Sequence, residues 1–422
     1  MNENRIWIMN HYATNMYYNA GGRHYWFAEN LIKQGYEPTI FCANVRHNTN
    51  DVIYVHDNKY SIDIKKNIPF VFVKTPQYSG NGKKRILNMV SFYKKLFPVA
   101  KKYAIEHGKP DVIFASSVHP LTLVAGIKIA KKFGIPCICE VRDLWPESLV
   151  AYGSMKRNSL IYKILYQGEK WIYKKADRLI FTMQGGKEYI IDQGWDKDHN
   201  GPIDVSKVYH INNGVPLESF NYNKYYCQLK DIHLENPHTF KVIYTGSIRL
   251  VNNVKYIIDA AKEIKHLGAE DIEFIIYGDG DDKQNLINYC KEQSIKNVVF
   301  KGYVDKKYIP YILSKSDLNI IHFEHNNIKK YGASLNKMFE YFASGKPTIS
   351  DCEFGYDLIK KYNAGMVIDN ADSKSLAEGI LFMKNLNKAK YAEICSNALE
   401  AAKDYDFKKL TDRLISIIEG VN

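Results

Sequence analysis

Ser334–Pro347, SLNKMFEYFASGKP, places a polar turn, an amphipathic helix and one acid side by side. That combination suits a nucleotide. Ser334 and Asn336 are candidate N-cap side chains, and Met338, Phe339, Phe342 and Ala343 give the apolar stripe of a short helix. The free N–H groups of its first turn, at Leu335 and Asn336, then face whatever lies before the helix. A diphosphate fits there with Lys337 as a nearby cation, while Glu340 near the helix middle is placed to take two hydroxyls of a ribose. Gly345-Lys346-Pro347 stops the helix and hands over to the strand TIS. On this segment alone an ordinary helix start with a solvated glutamate is an equal alternative.

Other constellations support the nucleotide. Gly21 and Gly22 open a helix after the first strand, where small residues permit a ligand to approach backbone N–H groups. Gly246 ends the strand FKVIYTGS, and Arg249 and Lys255 follow it; two cations beyond a strand end can neutralise a departing diphosphate. Gly278 lies in a second strand-end turn, Tyr277-Gly278-Asp279-Gly280-Asp281-Asp282, which lacks the further ligand positions of an EF-hand loop. Asp196-Lys197-Asp198 has D-x-D spacing but sits in what reads as a surface loop. No metal site is expected there or elsewhere.

The elements that hold these residues alternate along the chain. RIWIMNHYA, EPTIFCANV, IPFVFVKT, DVIFASS, PCICEVRD, RLIFTM and KVYHINNG read as strands, with helices at GRHYWFAENLIKQGY, LTLVAGIKIAKKFG and SLIYKILYQGEKWIYKKA. The pattern restarts at FKVIYTGS and continues through IEFIIYGDG, NVVFKGYV, DLNIIHF and KPTISD. This order predicts two parallel, doubly wound α/β domains, 1–204 and 205–422, with ligands at the strands' carboxyl ends and a cleft between the domains. The final helix, KLTDRLISIIEGVN, is expected to pack on either domain, and on the first in particular.

Composition narrows the class of partner. The chain has 422 residues and a net charge of +12. All of that excess falls in residues 1–200, which carry 29 Lys/Arg against 17 Asp/Glu. Lys65–Lys109 holds eleven basic residues and one acid, Glu106, interleaved with Ile86, Leu87, Met89, Val90, Phe92, Leu96 and Phe97. Such a basic amphipathic surface suits anionic lipid headgroups. Nucleic acid is not expected, since no zinc-finger spacing, aromatic RNP pattern or basic zipper is present. Seven cysteines without a C-x-x-C pair, two of them in IPCICEV, read as buried thiols in a reducing compartment. The start MNENRIWIMN lacks the layout of a signal peptide, and no stretch reads as a transmembrane helix. A cytoplasmic protein, peripheral on the inner face of the membrane, is expected.

Together NAGGRHYWFAENLIKQGY, PDVIFASSVHPLT, CEVRDLWPESL, YHINNGVPLESF, YTGSIRLVNNVKYIIDAAK, IIYGDGDDK and SLNKMFEYFASGKP resemble the retaining, GT-B-fold glycosyltransferases of family four. EVRDLWPES and NKMFEYFASGKP resemble the branch of bacterial O-antigen and capsule enzymes that transfer fucosamine-type and N-acetylhexosamine sugars. The resemblance implies two Rossmann-like domains, acceptor sites on the first and a nucleotide sugar, with UDP expected, on the second. It implies that Arg249 and Lys255 bind the donor diphosphate and that Glu340 binds ribose. The chain departs from the family at Gly332, where the first acid of the Glu, seven residues, Glu motif is expected, and at Arg142-Asp143, where relatives carry His before Asp. A guanidinium does not deprotonate, so Arg142 is expected to bind phosphate or acceptor, with Asp143 orienting a hydroxyl and His119 a further acceptor-side candidate. The implied reaction is metal-independent, cofactor-free transfer to a lipid-linked saccharide. A sugar-nucleotide epimerase of the same fold and a non-catalytic membrane or saccharide-binding protein are the alternatives.

Overall fold

Strand β1 (Arg5–Met9) lies at the centre of the first sheet, because RIWIM is apolar on both faces and must be covered on both. The computed structural model describes residues 4–421 apart from 48, 57–58, 79, 81, 118, 325 and 369–371; Met1–Glu3 of the expected leaderless start lie outside it. Two compact units result, one comprising residues 1–212 and 407–422, the other 213–406.

In unit 1, β2 (Glu37–Ala43), β3 (Tyr60–Lys65), β4 (Ile68–Val73), β5 (Val112–Ser116), β6 (Cys137–Val141), β7 (Arg178–Phe181) and β8 (Val208–His210) join β1. The eight strands run in the order β3-β4-β2-β1-β5-β6-β7-β8. All pairs are parallel except β3 with β4. That antiparallel edge strand was not expected: Asp63 and Lys65 interrupt YSIDIK, and its middle residues face solvent. Because β8 pairs with β7, the first unit extends past residue 204. Its helices are α1 (Thr14–Asn19), α2 (Arg23–Lys33), α3 (Lys83–His107), α4 (Pro120–Phe133), α5 (Glu147–Ala151), α6 (Leu160–Lys175) and α7 (Gly186–Asp192). Helix α3 packs on α4, and α4 on α6.

Unit 2 holds β9 (Phe240–Thr245), β10 (Ile272–Tyr277), β11 (Val298–Gly302), β12 (Leu318–Ile321), β13 (Thr348–Ser350) and β14 (Gly365–Val367). They form an all-parallel sheet in the order β11-β10-β9-β12-β13-β14. The surrounding helices are α8 (Leu217–Tyr226), α9 (Ile232–Glu235), α10 (Lys255–His266), α11 (Lys283–Glu292), α12 (Ile309–Ser314), α13 (Asn336–Ser344), α14 (Leu358–Tyr362), α15 (Ser373–Lys384) and α16 (Lys388–Asp404). Ile257, Ile258, Ala261 and Ile264 of α10 pack with Val242, Phe274 and Ile276 of the sheet in a fully buried core. The last helix, α17 (Phe407–Glu419), packs against α2 within unit 1; Phe407 meets the Phe27 ring edge-on at 5.5 Å.

Five cysteines, including Cys137 and Cys139, are buried, and all seven are free. Among the described residues no helix is long and apolar enough to cross a membrane.

Candidate functional site

In unit 2 the chain builds outward from β9 in one direction through β10 and β11, and in the other through β12 to β14. A sheet that reverses in this way leaves a crevice beyond the carboxyl ends of its central strands. The loops that line it interlock. Gly246 N–H donates to Tyr277 O at 3.0 Å, Ile248 N–H to Asp279 O at 2.9 Å, and Gly278 N–H to Gly302 O at 2.8 Å. A Cβ on Gly278 would overlap the Gly246 carbonyl, so the close approach of the two turns requires glycine.

Helix α13 docks on the same edge: the Tyr341 hydroxyl accepts from Thr245 N–H at 3.0 Å. This brings Lys337 over the Tyr244 ring, 3.9 Å from its centroid. A Cβ on Gly246 would stand 2.7 Å from Lys337 Nζ, which places the ammonium at the glycine turn. Burial draws the Lys337 pKa down to about 7, against the pull of Glu340. Its ammonium makes no hydrogen bond or ion pair among the described residues.

The expected caps of α13 do not form. Leu335 is the N-cap residue, with φ −79° and ψ 118°, and its own side chain makes no capping hydrogen bond. Ser334 is engaged elsewhere: its Oγ accepts from Asn213 N–H and its carbonyl from Asn213 Nδ2, both at 2.9 Å. Asn336 is already the first helical residue and is exposed. Met338 N–H turns back to the Leu335 carbonyl at 3.1 Å, so the N–H groups of Asn336 and Lys337 are the ones this helix start offers to a ligand or solvent.

Glu340 lies in the middle of α13 and pairs with Lys306 at 3.2 Å; the lysine is largely exposed. Gly332 follows the 3-10 turn Lys329–Tyr331 with φ 91° and ψ 175°. An acid at that position would have to adopt a backbone conformation that side-chain-bearing residues avoid. Arg249 is exposed at the start of the 3-10 turn Leu250–Asn252. Lys255 is half-exposed and paired on its own helix. Its ammonium pairs with Asp259 at 2.7 Å, reaches the Tyr289 hydroxyl at 3.3 Å, and lies 4.3 Å from the Tyr289 ring centroid. The structure thus gathers Gly246, Gly278, Lys337 and the start of α13 and holds Lys255 between α10 and α11.

In unit 1 the strand order reverses between β1 and β5. Helix α1 intervenes between β1 and the glycines, so Gly21-Gly22 joins two helices instead of following the strand directly; Gly22 is the N-cap of α2. Arg142 and Asp143 follow β6, where the Ser117 hydroxyl accepts from Arg142 N–H at 2.9 Å. Asp143 is solvent-accessible, and crowding by protein raises its carboxyl pKa against the pull of Arg142. His119 is buried at the start of α4, with Nε2 2.6 Å from His11 Nδ1. Burial and Arg85 draw its pKa down to about 3, so the ring is neutral.

A second constellation was missed from the sequence. Arg23 Nε bonds Glu140 Oε1 at 2.7 Å, and its other nitrogens donate to the carbonyls of Asn212 at 2.6 Å and Ile211 at 2.8 Å. His24 Nε2 and Ser116 Oγ bond Glu140 Oε2 at 2.9 and 2.7 Å, and Asn10 Nδ2 meets His24 Nδ1 at 2.8 Å. Burial lowers the His24 pKa, which suits a neutral ring that accepts from Asn10 and donates to Glu140. Burial opposes the Glu140 charge, yet Arg23 and His24 hold its carboxyl far below the usual range. The signal was the lone acid in the apolar strand CICEV.

Asp196 of the D-x-D spacing is used locally: it accepts from Asp198 N–H at 3.2 Å and bonds His199 Nδ1 at 2.8 Å. Among the described residues no cluster of three or more His, Cys, Asp or Glu is arranged to hold a metal ion.

The two-unit α/β fold recurs in known proteins. The chain is similar over 99% of its length to sucrose-phosphate synthase from Thermosynechococcus elongatus, at a TM-score of 0.69, 13% identity and 98% coverage of that chain. It is similar to the E. coli trehalose-6-phosphate structure bound with UDP-2-fluoro glucose, at 0.72 and 10% identity over 98% of this chain and 99% of that one. Anabaena HepE in complex with UDP-glucose gives 0.65 and 14% identity over 99% of each chain. These likenesses define a GT-B fold. The model for Glycosyltransferase Family 4 matches residues 25–219, and that for Glycosyl transferases group 1 matches 228–402. The chain belongs to the GT-B glycosyltransferases. No curated protein matches it.

Proposed function

We propose that this glycosyltransferase moves a sugar, with retention, from a UDP-linked donor such as an N-acetylated hexosamine to a lipid-linked saccharide in bacterial O-antigen or capsule synthesis. The observation that carries the donor assignment is the uncommitted Lys337 ammonium beside Gly246, next to an uncapped helix start. Cation and helix dipole together favour a diphosphate. UDP is supported by the structural neighbours solved with UDP-glucose and UDP-2-fluoro glucose. Glu340 then takes the ribose hydroxyls, exchanging its exposed Lys306 partner for them.

In this reading the acceptor hydroxyl attacks on the face from which UDP leaves, and a donor phosphate oxygen takes its proton. Lys337, the α13 amides and Arg249 stabilise the leaving charge, so protein cations serve where other transferases use a divalent ion. Unit 1 holds the acceptor near Gly21, Arg142 and Asp143, with Asp143 orienting the hydroxyl. Its lysine-rich α3 supports a place on the inner face of the cell membrane.

A panel of nucleotide sugars, assayed for UDP release with and without membrane lipid extract, tests this. One donor responding only with lipid is expected. Conversion of a donor without acceptor would identify the epimerase instead.

A further inference from the structure

Helix α6 begins with an apolar patch that no described residue of unit 1 covers. Ser159 caps it by accepting from Tyr162 N–H at 3.2 Å, so its first turns are well defined. Its later residues Glu169, Ile172 and Tyr173 face the core, yet Leu160, Ile161 and Ile164 are 72%, 63% and 62% exposed. Single exposed aliphatics are ordinary; three within two turns of one helix are not. The charge around them has one sign. From Ser148 to Gly168 there is no Asp or Glu, while Lys156, Arg157 and Lys163 are all exposed. Arg157 pairs with Glu147, whereas Lys156 and Lys163 make no ion pair among the described residues.

Topology gives this patch a direction. Helix α3 joins parallel strands β4 and β5, and α6 lies between parallel strands β6 and β7, so both run back against the sheet. Their first turns lie at the carboxyl edge, where Arg142 and Asp143 stand. The start of α3 repeats the chemistry: Lys83 and Lys84 are exposed beside Ile86 and Leu87, themselves 60% and 63% exposed.

We propose that the first two turns of α6, flanked by Lys156 and Lys163, insert into the headgroup layer of an anionic bilayer, with the start of α3 as a second contact. Apolar side chains enter the acyl boundary while lysines meet lipid phosphates. A second copy of this chain fits less well, because a two-fold contact would set these cations against their own kind. The surface deepens the lipid-linked acceptor reading, and rests on it only for its purpose, since membrane binding is measured without substrate.

The experiment is flotation of the full chain with phosphatidylcholine vesicles, with and without phosphatidylglycerol. Wild type should float only with the anionic lipid. Ile161→Glu/Ile164→Glu should lower partitioning at least tenfold, and Lys156→Glu/Lys163→Glu severalfold, with UDP binding and the thermal midpoint unchanged. Wild type that stays off anionic vesicles, or both double variants floating like wild type, would overturn the proposal. So would a wild-type dimer dispersed by Ile161→Glu/Ile164→Glu. If vesicle binding follows these residues but no sugar reaches lipid, the surface stands and the acceptor reading fails.

Discussion

The two sheets each place a buried or half-buried cation near their carboxyl ends, and they treat it in opposite ways. Arg23 in unit 1 is fully answered by Glu140 and two carbonyls, and Glu140 in turn by His24 and Ser116. Lys337 in unit 2 rests on the face of Tyr244, feels the charge of Glu340, and makes no ion pair among the described residues. A buried charge with all its partners holds a fold together, whereas one left without a counter-ion costs stability that a ligand can restore. Under the proposed function, the contrast separates a structural cluster from a binding one.

Breaking the unit 1 cluster should have the largest effect. Glu140→Gln leaves the Arg23 guanidinium without its carboxylate and should cost about 3–5 kcal/mol. Hydrogen-exchange protection of β1, β5 and β6 would report the loss, and unchanged protection would contradict it. Lys337→Met should leave the unfolding midpoint within a few degrees and lower kcat/KM roughly 10²-fold or more, the scale of losing one preorganised charge at a leaving group.

Gly332→Glu sharpens the comparison from the other side. Restoring the missing acid forces a strained backbone, with a cost of about 1–3 kcal/mol. Thermal unfolding should show this without a gain in activity; a stable, faster variant would place the acid's absence on other grounds.

Two pH effects should be smaller. Lys337 has a pKa of about 7, so above that pH it must gain a proton to meet a diphosphate. UDP affinity should therefore fall as pH rises through 7, by at most about tenfold per unit, and lose that dependence in Lys337→Met. Glu169 is buried beneath the Tyr173 and Tyr189 hydroxyls, and burial raises its pKa to about 8. A carboxyl raised in the folded state favours folding below its unfolded pKa, and that contribution is lost as pH climbs through 8. Melting temperature should decline between pH 5 and 8 by about a few degrees, and Glu169→Gln should flatten the decline.

Much of this was legible in the sequence because buried parallel strands are near-continuous apolar runs, and helices between them carry the 3.6-residue period. RIWIM, VIFAS and IEFIIY give strands by that rule alone. YSIDIK does not, since it is an edge strand with charges on its open side, and the three-residue GMV is too short to show a period. Lys337 was visible as a cation near a helix start, but not its perch on Tyr244, which depends on how α13 meets β9. Ser334 read as a cap because local sequence cannot show its partner, Asn213, which is distant in the chain. Arg249 and Lys255 read as the diphosphate ligands with Lys337 a nearby cation; what local sequence cannot show is that Lys255 pairs with Asp259 while Lys337 rests on Tyr244.

The most direct test is calorimetric titration of UDP into Lys337→Met and Lys255→Met. Lys337→Met should lose at least tenfold in affinity while Lys255→Met, whose ammonium is held by Asp259 and Tyr289, stays within about twofold of wild type. Unaltered affinity in Lys337→Met, with the loss falling on Lys255→Met, would contradict the assignment of the glycine turn and α13 as the donor site.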